Sequence, residues 1–555
     1  MDAAAATTAV VETWKQVYTP IGDGGYLLPA LVAAIPLYVL FYMLAVKRAK
    51  GHFAAGLALL SALAVAIGVW GMPAGLAVNS FLYGASIGLF PIVWIVITAI
   101  WVYNMTVESG QFEIIKSSLA TVTEDRRLQA IIIAFAFGSF IEGTAGFGTP
   151  VAITAAMLVG LGFNPLYAAG LCLIANTAPV AFGALGIPII AVADLTKLDL
   201  MKISAITGRQ LPFLSIIVPL WLSVTMCGFK RSMEVLPAII VAGVSFAGAQ
   251  FIVSNYVGPM LPDVISAIAC IVSMFLFLKV WKPKTIWRFP NEPAATGPAT
   301  CPYSSGEVIR AWMPWVILAA MVFVWGLKPA QAILNVVTLS PDWPGLHNMI
   351  MKTAPIVAKD AVYAAKFKFN WLSSPGTAVL CAGILSILVI PNYGFGKAIP
   401  AFFRTIKQLR FPIMTIAMIV GLAYLMNYSG MSSTLGLAFT LTGSAFPFFS
   451  PIIGWLGVFL TGSDTSSNLL FGNLQQTTAG QIGVDPALCV AANSSGGVTG
   501  KMISPQSISV ATAASNMVGH EGDLFRFTLL HSIAMLSFVA VLTYLQAYSL
   551  SWMLP

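Results

Sequence analysis

Apolar runs of about twenty residues follow one another along most of this 555-residue chain, and that is the length a helix needs to cross a bilayer. The first two, 26–46 and 53–70, are separated by a basic turn. Four segments interrupt the pattern with Gly, Ser, Thr, Asn and Pro inside otherwise apolar stretches. They are 140–150 (FIEGTAGFGTP), 175–188 (ANTAPVAFGALGIP), 461–472 (TGSDTSSNLLFG) and 492–505 (ANSSGGVTGKMISP). Non-helical backbone at membrane depth survives only when protein buries it or when it lines a watery cavity. Each pair of segments therefore predicts a re-entrant helical hairpin (128–162 and 450–483) followed by an unwound span (164–190 and 485–510). The expected fold is an all-α polytopic membrane protein with about twelve spans and two hairpins.

The pattern also repeats. Phe90-Pro91-Ile92 returns as Phe411-Pro412-Ile413, and Tyr103 with Met105 as Tyr424 with Met426. Ser109-Gly110 returns as Ser429-Gly430, and Asn164-Pro165 as Asp485-Pro486. Glu142 is answered by Asp464, and Asn176-Thr177 by Asn493-Ser494. The spacing of about 320 residues marks two copies of a broken, Gly-rich hydrophobic unit, the pattern of secondary transporters. Charge falls on the copies in opposite ways. Segment 75–90 is uncharged, whereas 396–411 holds Lys397, Arg404, Lys407 and Arg410; 111–127 holds Lys116, Arg126 and Arg127, whereas 429–451 has no charge. Because basic residues mark cytoplasmic span ends, the halves are expected to be inverted repeats, 1–280 and 307–555, around a cytoplasmic linker at 281–306. A leader at 1–23 reads as acidic and Ala/Thr-rich, unlike a cleaved signal. Both termini are expected outside. The lysines in the polar stretch 330–375 run against the same rule.

Composition narrows the class. With 58% hydrophobic and 9% charged residues, the chain is far from the quarter-charged makeup of soluble proteins. Lipid surroundings also accommodate 48 glycines and 33 prolines, many within apolar segments. The net charge of +8 punctuates spans and is a topology signal rather than a nucleic-acid patch. Six cysteines are scattered without a CxxC, and four histidines show no metal spacing; no metal or other cofactor is implied. His531, in an apolar span, reads as polar glue. Arg209 and Arg526 read as interface residues, and Trp101 and Trp552 as interfacial anchors. No nucleophile–base pair or cofactor motif points to an enzyme, and paired carboxyls argue against an anion pore.

The candidate site lies at the interruptions. Half-helix starts present unpaired N–H groups suited to a small carboxylate. Thr144, Gly146, Thr149, Asn176, Thr177, Ser463, Thr465, Ser466, Asn493, Ser494 and Ser495 supply further room, donors and acceptors, or else cap the broken helices. Glu142 and Asp464 are carboxyls in a membrane interior, costing about 3 kcal/mol or more and usually functional. They are candidates for carrying a coupling proton, or for holding the hairpin tips through backbone N–H groups. Lys501 either offsets substrate charge, pairs with Asp464, or snorkels to an interface.

Several strings resemble the lactate permease family. They are FIEGTAGFGTPVAITAAMLVGLGFNPLYAAGLCLIANTAPVAFGALGIPI, GWLGVFLTGSDTSSN and VAANSSGGVTGKMISPQS, with GRQLPF, NYSGMSSTL and DLFRFTLLHS. The likeness runs from about Tyr18 to the C-terminus. It implies a bacterial inner-membrane symporter that takes up L-lactate with a proton and also accepts D-lactate and glycolate; the termini expected outside from the charge pattern would then be periplasmic. The chain is also similar to the wider ion-transporter superfamily, whose paired hairpins and Asn-Thr-bearing broken spans usually work as elevators. That similarity places Asn176-Thr177 and Asn493-Ser494 where substrate sites are expected. A protonated Glu142 or Asp464 and a bound lactate would cross together as a neutral unit. The alternative is a sodium-coupled symporter of small carboxylates, since polar broken spans also suit Na⁺.

Overall fold

A computed structural model describes residues 13–22, 25–47, 49–146, 148–289 and 301–555. Most of the predicted leader, Arg48 and linker residues 290–300 lie outside the described residues. Among those described, ten helices are long and apolar enough to cross a membrane. Two bent pairs, Leu27–Ala33 with Ile35–Leu44 and Pro165–Ala175 with Val180–Thr196, bring the number to twelve. That total is not the predicted set of twelve. It includes Arg126–Thr144 and Met431–Thr461, which contain hairpin arms, and omits the shorter apolar helix Pro375–Val389. It also leaves out Pro486–Lys501, whose polar residues Asn493, Ser494, Ser495, Thr499 and Lys501 are all buried.

The helix Arg126–Thr144 is buried along its whole apolar window, whereas Ser305–Gly326 buries 33% of its own. The first arm of hairpin one is therefore at the molecular centre, and Ser305–Gly326 lies at the periphery. Hairpin one consists of Arg126–Thr144 and Thr149–Gly160. Hairpin two consists of Phe446–Thr461 and Asp464–Gln481. Its first arm lies flush on Pro486–Lys501 because glycines line the seam. A Cβ on Gly454 would strike the Asn493 backbone, and one on Gly496 the Pro451 carbonyl. Without a hydrophobic drive between helices in lipid, such small-residue seams supply the packing.

Each end of the molecule is tied by its own contacts. At one end Arg127, fully buried, pairs with Asp125 at 2.6 Å and Glu234 at 2.9 Å. It also donates to the carbonyls of Arg231 and Thr285. Read from sequence as a topology mark, Arg127 is a staple joining hairpin one to the 229–235 turn and the start of the linker. The helix Phe395–Gln408 belongs to this region, with Lys397, Arg404 and Lys407 exposed. At the other end the strand Trp14–Lys15 pairs in parallel with Ile350–Lys352, which pairs antiparallel with Ala361–Val362. This small sheet departs from an all-α description. Segment 335–374 is a folded cap. Asn79 donates to the Pro344 carbonyl, Tyr83 to that of Lys366 and Trp325 to that of Leu372.

Candidate functional site

The two broken spans are not broken alike. In the first, Pro165–Ala175 ends at Asn176, and helix resumes only beyond Gly186, after a stretch in which Ala184 and Leu185 take left-handed backbone. In the second, the helix runs unbroken through Asn493, Ser494 and Ser495 to Lys501; the interruption is 502–504, before Pro505–Ala514. The expectation that Asn493-Ser494 sits on unwound backbone is thus corrected. The Gly/Ser run there is a packing seam on a continuous helix.

Asn493 instead anchors a buried side-chain network. Its Oδ1 accepts from Gln475 Nε2 at 3.0 Å, and its Nδ2 donates to Asn468 Oδ1 at 2.8 Å. Asn468 donates to the Pro188 carbonyl at 3.2 Å and to Asp464 Oδ2 at 3.4 Å. Asp464 Oδ2 also accepts from Ser494 Oγ. The chain Gln475–Asn493–Asn468 therefore locks hairpin two to its own broken span and to that of the first half. Gln250 plays a related part, donating to the Ala178 carbonyl at 3.0 Å inside the first break.

Lys501 does not pair with Asp464. Its Nζ lies 2.8 Å from Glu142 Oε1, with both side chains buried. The two residues are 359 apart in sequence, so this ion pair ties hairpin one to the second broken span. Glu142 also packs on Gly183, where a Cβ would lie 2.7 Å from Oε1. Asp464 is held by Ser494 on the same helix that carries Lys501, so Pro486–Lys501 links the two hairpin tips.

The remaining site residues divide by whether their polar atoms are occupied. Thr144 Oγ1 bonds back to the Phe140 and Ile141 carbonyls. Gly146 turns the hairpin-one tip with positive φ, and Thr149 starts the returning arm, half-buried. Ser463 caps hairpin two's second arm by accepting from Ser466 N, with Thr465 and Ser466 half-buried in its first turn. By contrast, both side-chain polar atoms of Asn176, Thr177 Oγ1 and Ser495 Oγ are buried without a hydrogen-bond partner. Buried polar groups are nearly always paired, and these three residues differ in that respect from Thr144, Ser463, Asn493 and Ser494.

Two cavities approach from opposite sides. One of about 820 Å³ is lined by Lys50, His52, Phe411, Ser463 and Gln506 among others. The other, about 320 Å³, is lined by Asp194, Lys197, Lys366, Lys368 and Tyr424 among others. Neither is lined by Asn176, Thr177, Ser495, Glu142 or Lys501. The unpartnered set is buried and lines neither.

Comparison with known proteins decides the family. The L-lactate permease family profile matches residues 29–550. The chain belongs to that family. It is 52% identical to the L-lactate permease of Bacillus subtilis strain 168, over 98% of this chain and all of that protein. It is 51% identical to the glycolate permease GlcA of Escherichia coli K12, over 98% and 99%. Among solved structures, Neisseria gonorrhoeae MtrF aligns over 85% of this chain and 83% of its own, at TM-score 0.46 and 13% identity. Permease membership makes this a multi-pass membrane transporter rather than an enzyme.

Sequence reading missed Asn468, Gln475 and Gln250 as members of this network, and missed that Asp263 is buried. Asn468 and Gln475 recur at helical spacing on an arm whose polarity was itself a clue. Asp263 follows Pro262 at the start of an apolar run and looked like an ordinary span end. Among the minor roles, Trp221 Nε1 donates to His531 Nδ1 at 2.9 Å and Arg526 is exposed, but Trp101 is no interfacial anchor: it is buried, with its Nε1 donating to the Ala398 carbonyl at 2.9 Å.

Proposed function

We propose that the chain takes up L-lactate, and also D-lactate and glycolate, by proton symport across a bacterial inner membrane. The observation that carries this reading is the buried core set. Asn176, Thr177 and Ser495 are unpaired there; Gly183, in the same break as Asn176, meets Glu142, and Ser494, next to Ser495, bonds Asp464. The 2-hydroxy acid would bind through its carboxylate and hydroxyl to the unpaired groups. Lys501 is held by Glu142, so substrate charge is balanced by a proton on a carboxyl, with Glu142 and Asp464 as carriers. One proton and one lactate then cross as a neutral unit.

An elevator-type motion of two inverted halves suits the cavities on opposite sides of a closed centre. Matching element orders support the repeat: a hairpin, then a broken span, then a long helix (Leu200–Cys227 and Glu521–Tyr548). Periplasmic termini follow from basic residues gathered opposite the Trp14–Lys15 strand.

Purified protein in liposomes tests the coupling. An imposed inward proton gradient is expected to drive lactate accumulation of about tenfold per pH unit, unchanged when choline replaces sodium. Uptake that needs sodium and ignores the proton gradient would install the sodium-coupled alternative. Counterflow against L-lactate, D-lactate and glycolate reads the substrate range.

A further inference from the structure

A third carboxyl lies in the core. Asp263, in the first turn of Pro262–Val280, is 1% exposed, and neither of its oxygens has a hydrogen-bond partner. A Cβ on Gly143 would lie 2.6 Å from Asp263 Cβ and 3.1 Å from Val264 N. Asp263 is therefore wedged beside Glu142 on hairpin one. The Arg127 end of that helix bonds to Thr285, just past the far end of Pro262–Val280, so the two helices run antiparallel. One turn back from Glu142 is Ser139, and one turn forward from Asp263 is Ser266, which brings both hydroxyls to the same seam. Ser139 Oγ, Ser266 Oγ and Glu142 Oε2 are also buried and unpartnered.

The charges facing Asp263 are few. Leu236–Tyr256, packed against the same helix, carries no charged residue, and Glu142 is the one charged group of segment 131–144. Asp263 packs on Gly143, the residue after Glu142, and Glu142 holds Lys501 at 2.8 Å. One ammonium thus stands at a seam that carries two carboxyls.

We infer that Asp263 is a coupling residue of the transport cycle: a proton-binding carboxyl that shares Lys501 with Glu142 across the Ser139–Ser266 seam. With Lys501 on Glu142, the proton resides on Asp263. When Lys501 turns to Asp263, that proton passes to Glu142, so one O–H bond breaks, one forms and the net charge is constant. An uncompensated carboxylate in this seam would be strongly unfavourable, which makes the ion-pair exchange and the proton transfer one event. The inference rests on the proton-symport reading and adds to it the residue that shuttles the proton without touching substrate.

Full-length protein in liposomes with a trapped pH dye reads both arms. The wild type is expected to show lactate-coupled proton influx. Asp263→Asn is expected to lower that influx by about tenfold or more relative to lactate counterflow, the factor one pH unit represents, and to flatten the pH profile of counterflow. Asp263→Glu, which keeps the acid, is expected to restore coupling with a shifted profile; this variant also carries the test if Asp263→Asn does not assemble. A coupled wild type with an equally coupled Asp263→Asn, or an unshifted Asp263→Glu, would overturn this inference alone. So would an equal loss of influx and counterflow in monodisperse Asp263→Asn, which makes the residue a packing element. Sodium-driven uptake without proton influx in the wild type would overturn the symport reading and this inference together.

Discussion

Removing one partner of a buried ion pair strands the other, and in the Glu142–Lys501 pair the stranded group would be a carboxylate in the core of a membrane protein. Such single losses cost about 3–5 kcal/mol, whereas replacing both partners together is often close to neutral. Lys501→Met is therefore expected to lower the thermal unfolding temperature in detergent sharply, and Lys501→Met with Glu142→Gln to recover most of it. Neither is expected to restore lactate accumulation, because the recovered fold lacks the charges that couple it. A double variant as unstable as the single would show that the pair does not act as a unit. Glu142 and Asp464 were legible in the sequence because a charge inside an apolar run has no bland interfacial home. Asp263 was not, since a carboxyl just after Pro262 at a span start is ordinary. The partner of Lys501 was equally hidden, with two carboxyls available and 359 residues of chain between Lys501 and the one it holds.

A Gly/Ser-rich run inside an apolar helix has two physical readings, an unwound break or a seam where another backbone comes close. Only the neighbouring element distinguishes them, which is why 175–188 was read correctly as a break, whereas 492–505 stays helical through Lys501 and is interrupted only at 502–504. At the first, left-handed backbone at Ala184 and Leu185 interrupts the helix. At the second, Gly496 meets the Pro451 carbonyl and Gly500 the Trp455 carbonyl of hairpin two. The hairpins themselves were legible because a short polar tip between two apolar arms has few other meanings. The seam makes a prediction of its own. Gly496→Leu must push hairpin two off its broken span, with a cost above the ~1–3 kcal/mol typical of overpacking, since rigid backbone rather than a flexible side chain is struck. Loss of monodisperse protein is expected on size-exclusion chromatography. Gly522→Leu, at a glycine with open space around it, is expected to behave as wild type.

For the whole molecule, orientation follows from which loops carry the fixed charge. The lysines of segment 335–374 looked misplaced for an outer loop, yet they belong to a folded cap: Lys352 lies over the Tyr363 ring and one of the four, Lys366, meets an acid. Lys366 lies 3.3 Å from Asp342, and Lys15, on the strand joined to that cap, lies 2.8 Å from Asp360. Long, folded loops also escape the charge bias that orients short ones. At the other end, Lys397, Arg404 and Lys407 lie on one short exposed helix, where the bias acts at full strength. The two ends therefore make opposite claims about access. Lys359→Cys and Lys407→Cys place a thiol at an exposed position of each, in a background where Cys227, Cys301 and Cys381, the partly exposed native cysteines, are changed to Ser. A membrane-impermeant maleimide on intact spheroplasts is expected to label position 359 and to reach 407 only after permeabilisation. The reverse pattern would turn the protein over, and the direction of the proposed uptake cavities with it. Equal labelling of both in intact cells would mean that the strand-bearing cap and the basic helix share a face, and would remove the charge argument for inverted halves.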